Sequence, residues 1–568
     1  MVKWILPSLT KQQQRQKELL SENLELHPAI AQILLQRGVC TLDDARDFFQ
    51  PQLDDLHNPF LMRDMDRAVD RLNEALRNRE RILIYGDYDV DGTTAVALVY
   101  QFLKRYHDDI LYYLPSRDDE GSGISTQGID FAADKGCTLV IALDCGIKAA
   151  DRVEYAKEKG IDFIICDHHT ADDEIPNAVA VLDPKREDCE YPYKELCGCG
   201  VGFKLMQAFA MSNQINRDEL FTLLDLVVVA IAGDIVPVTG ENRVLAYYGL
   251  KRLNANPSVG LRSIIRITGL FGHEIQLADI IFKIGPRINA SGRVENATES
   301  VDLLVERDNA AAWRRCKLLD EQNEKRKELD QSITAQALDM LAAAPVNDKE
   351  GIVLYNPEWH KGVIAIVASR LSEQFYKPTI IFTRSNGLVC GSARSVSGFD
   401  VYAAVESCRD LLESFGGHTF AVGLSMRPEV FPDFKRRFND FVAHNMQPEQ
   451  RSPQVVVDAV LRLADVTPKF YRQMKMFCPF GPDNEMPIFV SKSVRDAGTS
   501  RLVGRNREHI KLDLIDASTS EPVSAIAFRQ AQLFDAIKAG TAVNICYTIE
   551  DNKFAPLQLQ VKHITLAR

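Results

Sequence analysis

Between residues 81 and 169 the chain repeats one unit: a short apolar run that ends in acidic or imidazole groups, followed by a stretch with helical spacing. RILIYG at 81–86 reads as a buried strand, and TTAVALVYQFLKRY at 93–106 then places apolar residues at helical intervals. TLVIALDCG at 138–146, KAADRVEYAKEKG at 148–160 and IDFIICDHH at 161–169 repeat the order strand, helix, strand. This alternation predicts an α/β fold, a mostly parallel sheet with helices on both faces. Ligands of such sheets bind beyond the carboxyl ends of the strands. Asp87, Asp89, Asp91, Asp144, Asp167, His168 and His169 all fall there.

The stretch GDYDVDG at 86–92 also opens like a calcium-binding loop. A strand precedes it instead of a helix, and position 12 counted from Asp87 is Leu98, so that reading fails. At period two, the three aspartates are expected to share one face of an extended chain. Two carboxylates about 4 Å apart repel by about 4 kcal/mol at an effective dielectric of 20, so three acidic strand ends in one place call for a cation. Carboxylates joined by imidazole favour manganese, iron, cobalt or zinc. The set is large enough for two cations about 3.5 to 4 Å apart, the arrangement used to hydrolyse phosphate esters. Two Mn²⁺ ions are expected, with Mg²⁺ as a substitute.

Composition narrows the alternatives. At 568 residues the chain exceeds one core and predicts three or four domains. A net charge of −12 argues against a passive coat for nucleic acid but allows a local basic channel. The N-terminus has no signal-peptide pattern, and LLDLVVVAIAG at 223–233 is short and interrupted by Asp225. A cytoplasmic protein with no membrane contact is expected. Twelve cysteines contain no CxxC pair, and the spacing of Cys189, Cys197 and Cys199 fits no zinc template. GCGVGF at 198–203 lacks the spacing of a dinucleotide loop, and no phosphate loop of the nucleotide-hydrolase type occurs.

Residues 1–75 read as a helical accessory region. From 293 to 345 a single connecting helix is expected, with Leu329, Ile333, Ala337 and Met340 on its apolar face and Glu321 to Glu328 exposed. Short strands between turns from 449 to 568 predict a small barrel.

Four of these segments, GDYDVDG, ALDCG at 142–146, CDHH at 166–169 and AGDIVPVTGENR at 232–243, resemble successive motifs of the DHH phosphoesterase superfamily. IGPRINASGR at 284–293, PEWHKGVIAIVASRL at 357–371, GSARS at 391–395 and FGGHTFAVGLSM at 415–426 continue the resemblance, in the order of its bacterial exonuclease branch. The resemblance implies a DHH domain at 76–292, a DHH-associated α/β domain at 346–448 and an OB-fold barrel at 449–568. It implies a 5′ to 3′ exonuclease on single-stranded DNA, acting in recombination and repair and releasing 5′ mononucleotides by two-metal hydrolysis.

Its site residues carry over as follows. Asp89 with Asp87 would hold one metal, Asp91, His168 and Asp234 the other, with Asp144 bridging. His169 would stabilise the scissile phosphate, and Asp167 would orient His168 through its second ring nitrogen. Ser392 and Arg394, with Arg117, Arg287 or Arg293, would take the 5′ phosphate, beside Gly416, Gly417 and His418. Arg501, Arg505, Arg507 and Lys511 form a basic stretch of the barrel suited to a phosphate backbone, though a solvated edge strand would look the same. The family also implies a single-strand-binding protein and a helicase as partners and a monomeric enzyme.

The second motif departs from the family's Asp-Asn-Gly, reading Asp144-Cys145-Gly146, which puts a thiol next to the metals and predicts sensitivity to oxidation. Two other functions compete. A phosphodiesterase for cyclic dinucleotides or short oligonucleotides, or a pyrophosphatase, is disfavoured by the barrel. A catalytically inactive DNA-binding scaffold is disfavoured by the complete ligand set.

Overall fold

The computed structural model describes residues 2–567 apart from 118, 173, 295–296, 344–349 and 553–554. The expected parallel sheet is present. Its strands are β1 (Arg81–Gly86), β2 (Ile110–Tyr113), β3 (Cys137–Leu143), β4 (Asp162–Cys166) and β5 (Ala180–Leu182), ordered β2-β1-β3-β4-β5 with every pairing parallel. Ile82, Ile84, Leu139 and Ile141 face a large core shared with α1 (Val90–Leu103), α2 (Gly198–Ser212) and α3 (Leu224–Gly233). Leu83, Val140 and Ile165 face a smaller cluster on the opposite side. The period-two alternation explains why each strand feeds both layers.

Residues 223–233, the apolar run broken by Asp225, form α3 inside this core. Among the described residues no helix is long and apolar enough to cross a membrane.

The single helix expected over 293–345 is divided. Gly285–Val294 (α4) and Thr298–Val305 (α5) come first, and the long helix α6 runs Asn309–Ala343. Residues 344–345 of that expectation lie outside the described residues. The charged length is not uniformly exposed, because Gln322 and Asn323 within it are fully buried. Met340 is exposed, and the apolar face continues through Leu341 instead.

Beyond α6, strands β6 (Ile352–Tyr355), β7 (Thr379–Ser385), β8 (Leu388–Arg394), β9 (Ser414–His418) and β10 (Ala421–Met426) form a second sheet, ordered β9-β10-β8-β7-β6. The C-terminal barrel contains β11 (Phe489–Asp496), β12 (Arg501–Val503), β13 (His509–Asp516), β14 (Thr519–Ala527), β15 (Val543–Asn552) and β16 (Ala555–Leu566). Pairing of β11 with β13 closes the circuit β11-β15-β16-β14-β13, and β12 adds to its edge.

The first residues are more than an accessory. Strand Lys3–Ile5 pairs in parallel with Gln454–Val456, and Ile30, Ile33 and Leu34 enter the barrel's own core. Arg243, at the end of AGDIVPVTGENR, ties these parts to the core of the first α/β unit. Its guanidinium stacks 3.9 Å from the Phe48 ring and donates to the carbonyls of Phe48, Phe477 and Cys478.

Candidate metal centre and nucleic-acid cleft

The strand β1 stops at Gly86, so the aspartates of GDYDVDG do not alternate along an extended chain as their spacing suggests. Asp89 caps α1, accepting from the Gly92 amide at 3.0 Å, and Asp91 already lies in the first helical turn. The two glycines make this abrupt turn possible. A Cβ on Gly92 would stand 2.3 Å from the Asp87 carbonyl, and one on Gly86 would strike Val96.

Asp144 follows β3 in the left-handed region, φ 60°, where aspartate is tolerated better than most residues. Its amide donates to Cys166, joining the ends of β3 and β4. His168 then lies at the centre of the cluster. Its Nε2 is 3.1 Å from Asp144, 3.6 Å from Asp234 and 3.9 Å from Asp91. One ligand atom from each of Asp91, His168 and Asp234 falls within 4.8 Å of the others, and the same holds for Asp144, His168 and His169.

Asp91 is held from behind by a segment that sequence reading dismissed. GCGVGF is the N-terminus of α2, and the amides of Gly198 and Cys199 donate to the two Asp91 oxygens at 2.6 and 2.7 Å. A negative charge is stabilised by the free amides of a helix N-terminus. The glycines admit a carboxylate. The spacing of GCGVGF alone carries no hint of this, because the partner is more than 100 residues away.

Asp167 does not orient His168. It accepts His169 Nδ1 at 2.7 Å, together with the amides of Ile147 and His168, so the ring it fixes is that of His169. Burial opposes the ionised Asp167, but these bonds and the imidazole charge outweigh it and bring its pKa down to about 2. The same bond holds His169 up at about 9. His168, buried and beside a cationic His169, is lowered to about 3 and stays neutral.

Among the described residues, neither ring nitrogen of the buried His168 has a protein hydrogen-bond partner. Burial, followed by mutual repulsion, raises Asp87 and Asp91 to about 7 and Asp234 to about 8, and holds Asp144 well above the carboxylate range. A neutral imidazole with free nitrogens amid carboxylates that resist ionisation is a donor set that fits divalent cations. Asp87, Asp89, Asp91, Asp144, His168 and Asp234 are the residues that would hold them.

Ile235, directly after Asp234, has φ 59° and is 59% exposed. A β-branched residue in that region is strained, and strain of this kind concentrates at functional sites.

Cys145 is buried beneath the strand ends. Its side chain packs with Ile124, Ile147 and Ile165 on the far side of the sheet, and burial holds its thiol well above the ordinary range. The charges of Asp87, Asp167 and Asp89 add to this effect, so the thiol is near the ligand cluster but protonated, a poor nucleophile in that state. Cys197 and Cys199 are likewise buried and protonated; the Cys197 sulfur accepts the Gly200 amide.

Three of the four arginines assigned to phosphate share one region. The charge of Arg293 is opposed by burial and then by Arg117, Arg326 and Arg394, which brings it down to about 9. Arg293 donates to the Gly362 carbonyl at 2.9 Å, and a Cβ on Gly362 would stand 2.4 Å from the Arg293 carbonyl. The first α/β unit and the second thus meet backbone to backbone. Arg117 stacks 4.4 Å over Tyr88 of GDYDVDG, and Arg394 donates to Ser392 at 2.8 Å. Arg287 differs, since its guanidinium is bound to Asp320 of α6 at 2.8 Å. Arg326 was missed because it lies in a charged run; its buried Nε has no hydrogen-bond partner among the described residues.

Gly416, Gly417 and His418 lie on β9. His418 lies within electrostatic reach of His168 and His169, so the end of β9 is near the ligand cluster. In the barrel, Arg501 and Lys511 are directly paired across β12 and β13, with exposed Arg505 and Arg507 in the loop between. They share an exposed edge hairpin and do not reach the metal centre's hydrogen-bond network.

A parallel sheet whose strand ends gather carboxylates and a DHH triplet, opposed by a second α/β unit across a basic cleft, defines a DHH phosphoesterase. The DHH family, N-terminal domain matches residues 81–231, the DHHA1 domain residues 348–444 and the RecJ OB domain residues 457–563. Proteins named single-stranded-DNA-specific exonuclease RecJ are similar over most of the chain. That of Bacillus subtilis is 34% identical, covering 94% of this chain and 67% of its own; that of Haemophilus influenzae is 33% identical, covering 89% and 91%. The crystal structure of RecJ in complex with Mn²⁺ from Thermus thermophilus superposes with a TM-score of 0.85 at 27% identity, covering 100% of this chain and 80% of that one. The chain belongs to the RecJ family.

Proposed function

We propose that this protein is a metal-dependent exonuclease that degrades single-stranded DNA from the 5′ end and releases 5′ mononucleotides. The observation that carries the reading is the cluster around His168: an imidazole with both nitrogens free, 3.1 to 3.9 Å from three carboxylates. Mn²⁺ is the expected cation, with Mg²⁺ a substitute, as in the RecJ structures solved with either ion. Divalent cations supply charge neutralisation at the phosphate and acidify water.

The protein's own groups do the rest. Asp167 keeps His169 protonated and aimed, so that His169 donates to the phosphate as negative charge builds. Arg394 with Ser392, and Arg293 with Arg117, form the receptor for the terminal 5′ phosphate. Cleavage of the P–O3′ bond by water gives a mononucleotide with a 3′ hydroxyl and leaves a 5′ phosphate on the shortened strand. Each turnover therefore regenerates the end group that the arginines recognise. The edge hairpin carrying Arg501, Arg505, Arg507 and Lys511 tracks the strand's backbone further away.

By family, the enzyme acts in DNA recombination and repair in the cytoplasm, as a monomer, alongside a single-strand-binding protein and a helicase. End-labelled single strands test the central reading. Release of labelled mononucleotides from 5′ but not 3′ label, dependent on Mn²⁺ or Mg²⁺ and faster with a 5′ phosphate than a 5′ hydroxyl, is expected. Release from the 3′ end, or full activity in chelator, would overturn it.

A further inference from the structure

The hairpin β9–β10 closes with His418 opposite Ala421, so Thr419 and Phe420 form its tip. Both tip carbonyls are tied down: Phe420 accepts the Ser395 amide at 2.9 Å and Thr419 accepts the Val401 amide at 3.0 Å. The tip is thus a fixed feature of the second α/β unit. Phe420 is nevertheless 61% exposed. A ring on a fixed tip offers an exposed π-face whose position is set by the backbone.

Its neighbours say what that face is placed to meet. Ala421, the next residue, pairs directly with Arg394, and Gly423 pairs with Ser392. Two residues earlier, His418 lies within electrostatic reach of His168 and His169. Phe420 therefore lies on the chain between the groups assigned to the 5′ phosphate and the group near the metal centre. The span between those two points is what the terminal nucleotide has to cover, from its 5′ phosphate to the scissile phosphate on its 3′ side. Gly416 and Gly417 on the same hairpin present no side chains to obstruct a base.

We propose that the Phe420 ring is the platform on which the base of the 5′-terminal nucleotide stacks. Stacking on a ring needs only a π-face, so all four bases are accepted, as a non-specific exonuclease requires. The inference rests on the 5′ polarity assigned above and adds the positioning of the base.

The test crosses two proteins with two substrates: wild type and Phe420→Ala, on 5′-phosphorylated strands whose first nucleotide is either normal or abasic. Stacking predicts that Phe420→Ala lowers kcat/KM for the first cleavage by about 5- to 100-fold on the normal strand. On the abasic strand the two proteins should be equal, and Phe420→Trp should restore the normal rate. Equal losses on both strands would mean that the ring only supports the hairpin, and no loss on either would mean that it touches no base; both overturn the proposal. The exposed position keeps the variant folded, which thermal unfolding checks, and Phe420→Leu gives a second variant of similar bulk without a π-face. If wild type itself cut from the 3′ end, the polarity assignment would fall before the platform was in question.

Discussion

Gly198 and Asp144 stand back to back: a Cβ on Gly198 would lie 2.5 Å from the Asp144 Cβ and 2.7 Å from a carboxylate oxygen. Gly198 also donates its amide to Asp91. One position with no side chain thus sets the placement of two carboxylates, one in the first turn of α1 and one just past the end of β3.

Gly198→Ala should therefore act on catalysis more than on folding. The added methyl has to push Asp144 away, and displacements of about 1 Å at a reacting centre cost about 100-fold in rate. Overpacking costs about 1 to 3 kcal/mol of stability. Turnover on single-stranded DNA should fall at least 100-fold while the protein still melts cooperatively. Near-normal turnover would show that Asp144 is placed by something else.

Asp167 and His169 form the second testable pair. Asp167→Asn keeps one oxygen, enough for the His168 amide, but gives up the second acceptor used by the Ile147 amide and removes the charge that holds His169 up at about 9. In the cation-free protein the His169 ring should then titrate near the ordinary 6.5. Activity should fall about 10- to 100-fold, the usual cost of losing such a supporting carboxylate. NMR titration of the ring reads the first effect and strand degradation the second. An unmoved His169 titration would mean that Asp167 is only a loop anchor.

Much of this site was readable in the sequence, for identifiable reasons. Apolar runs such as TLVIALDCG mark buried parallel strands, and their last residues carry the chemistry. Ile110–Tyr113 escaped because four residues with two tyrosines carry little signal. The turn after Gly86 escaped because a strand-like spacing of aspartates says nothing about a helix starting at Val90. The roles of Gly198, Gly292 and Gly362 could not be read at all: each is small because of a backbone brought against it from elsewhere, Asp144, Tyr88 and Arg293 in turn. Arg326 was hidden for a similar reason, since a charged run looks solvated until its buried nitrogen is seen.

The carboxylate cluster predicts an unusual pH dependence. Asp87, Asp91 and Asp234 are raised to about 7, 7 and 8, so without cations the folded protein binds more protons than the unfolded chain. Stability that is fully present below the ordinary carboxylate value is lost as pH rises through 7 to 8. His169, raised to about 9, adds loss in the same direction. The cation-free protein should melt lower at pH 8.5 than at pH 6.5, and the stabilisation by Mn²⁺ should grow over that range. Calorimetric titration of Mn²⁺ in buffers of different ionisation enthalpy should show proton release. A flat melting temperature in chelator from pH 6.5 to 8.5 would contradict the raised values.

Arg243 gives the last prediction, on assembly. It is 4% exposed, and it reaches from the DHH core to the carbonyls of Phe48 in the N-terminal region and of Phe477 and Cys478 beside the barrel. Burial brings its pKa down to about 10, still high enough to keep the charge that stacks on Phe48. Arg243→Ala leaves those carbonyls without their donor, at about 1 to 3 kcal/mol for each one that water does not reach. The junction should open before the DHH core unfolds, giving a separate low-temperature transition and new protease cuts near residues 48 and 478. Arg243→Lys should recover only part of the loss, because an ammonium cannot serve three separated carbonyls and a ring at once. A single unchanged melting transition in Arg243→Ala would show that the apolar contacts of Phe48, Phe49 and Phe477 hold the junction without it.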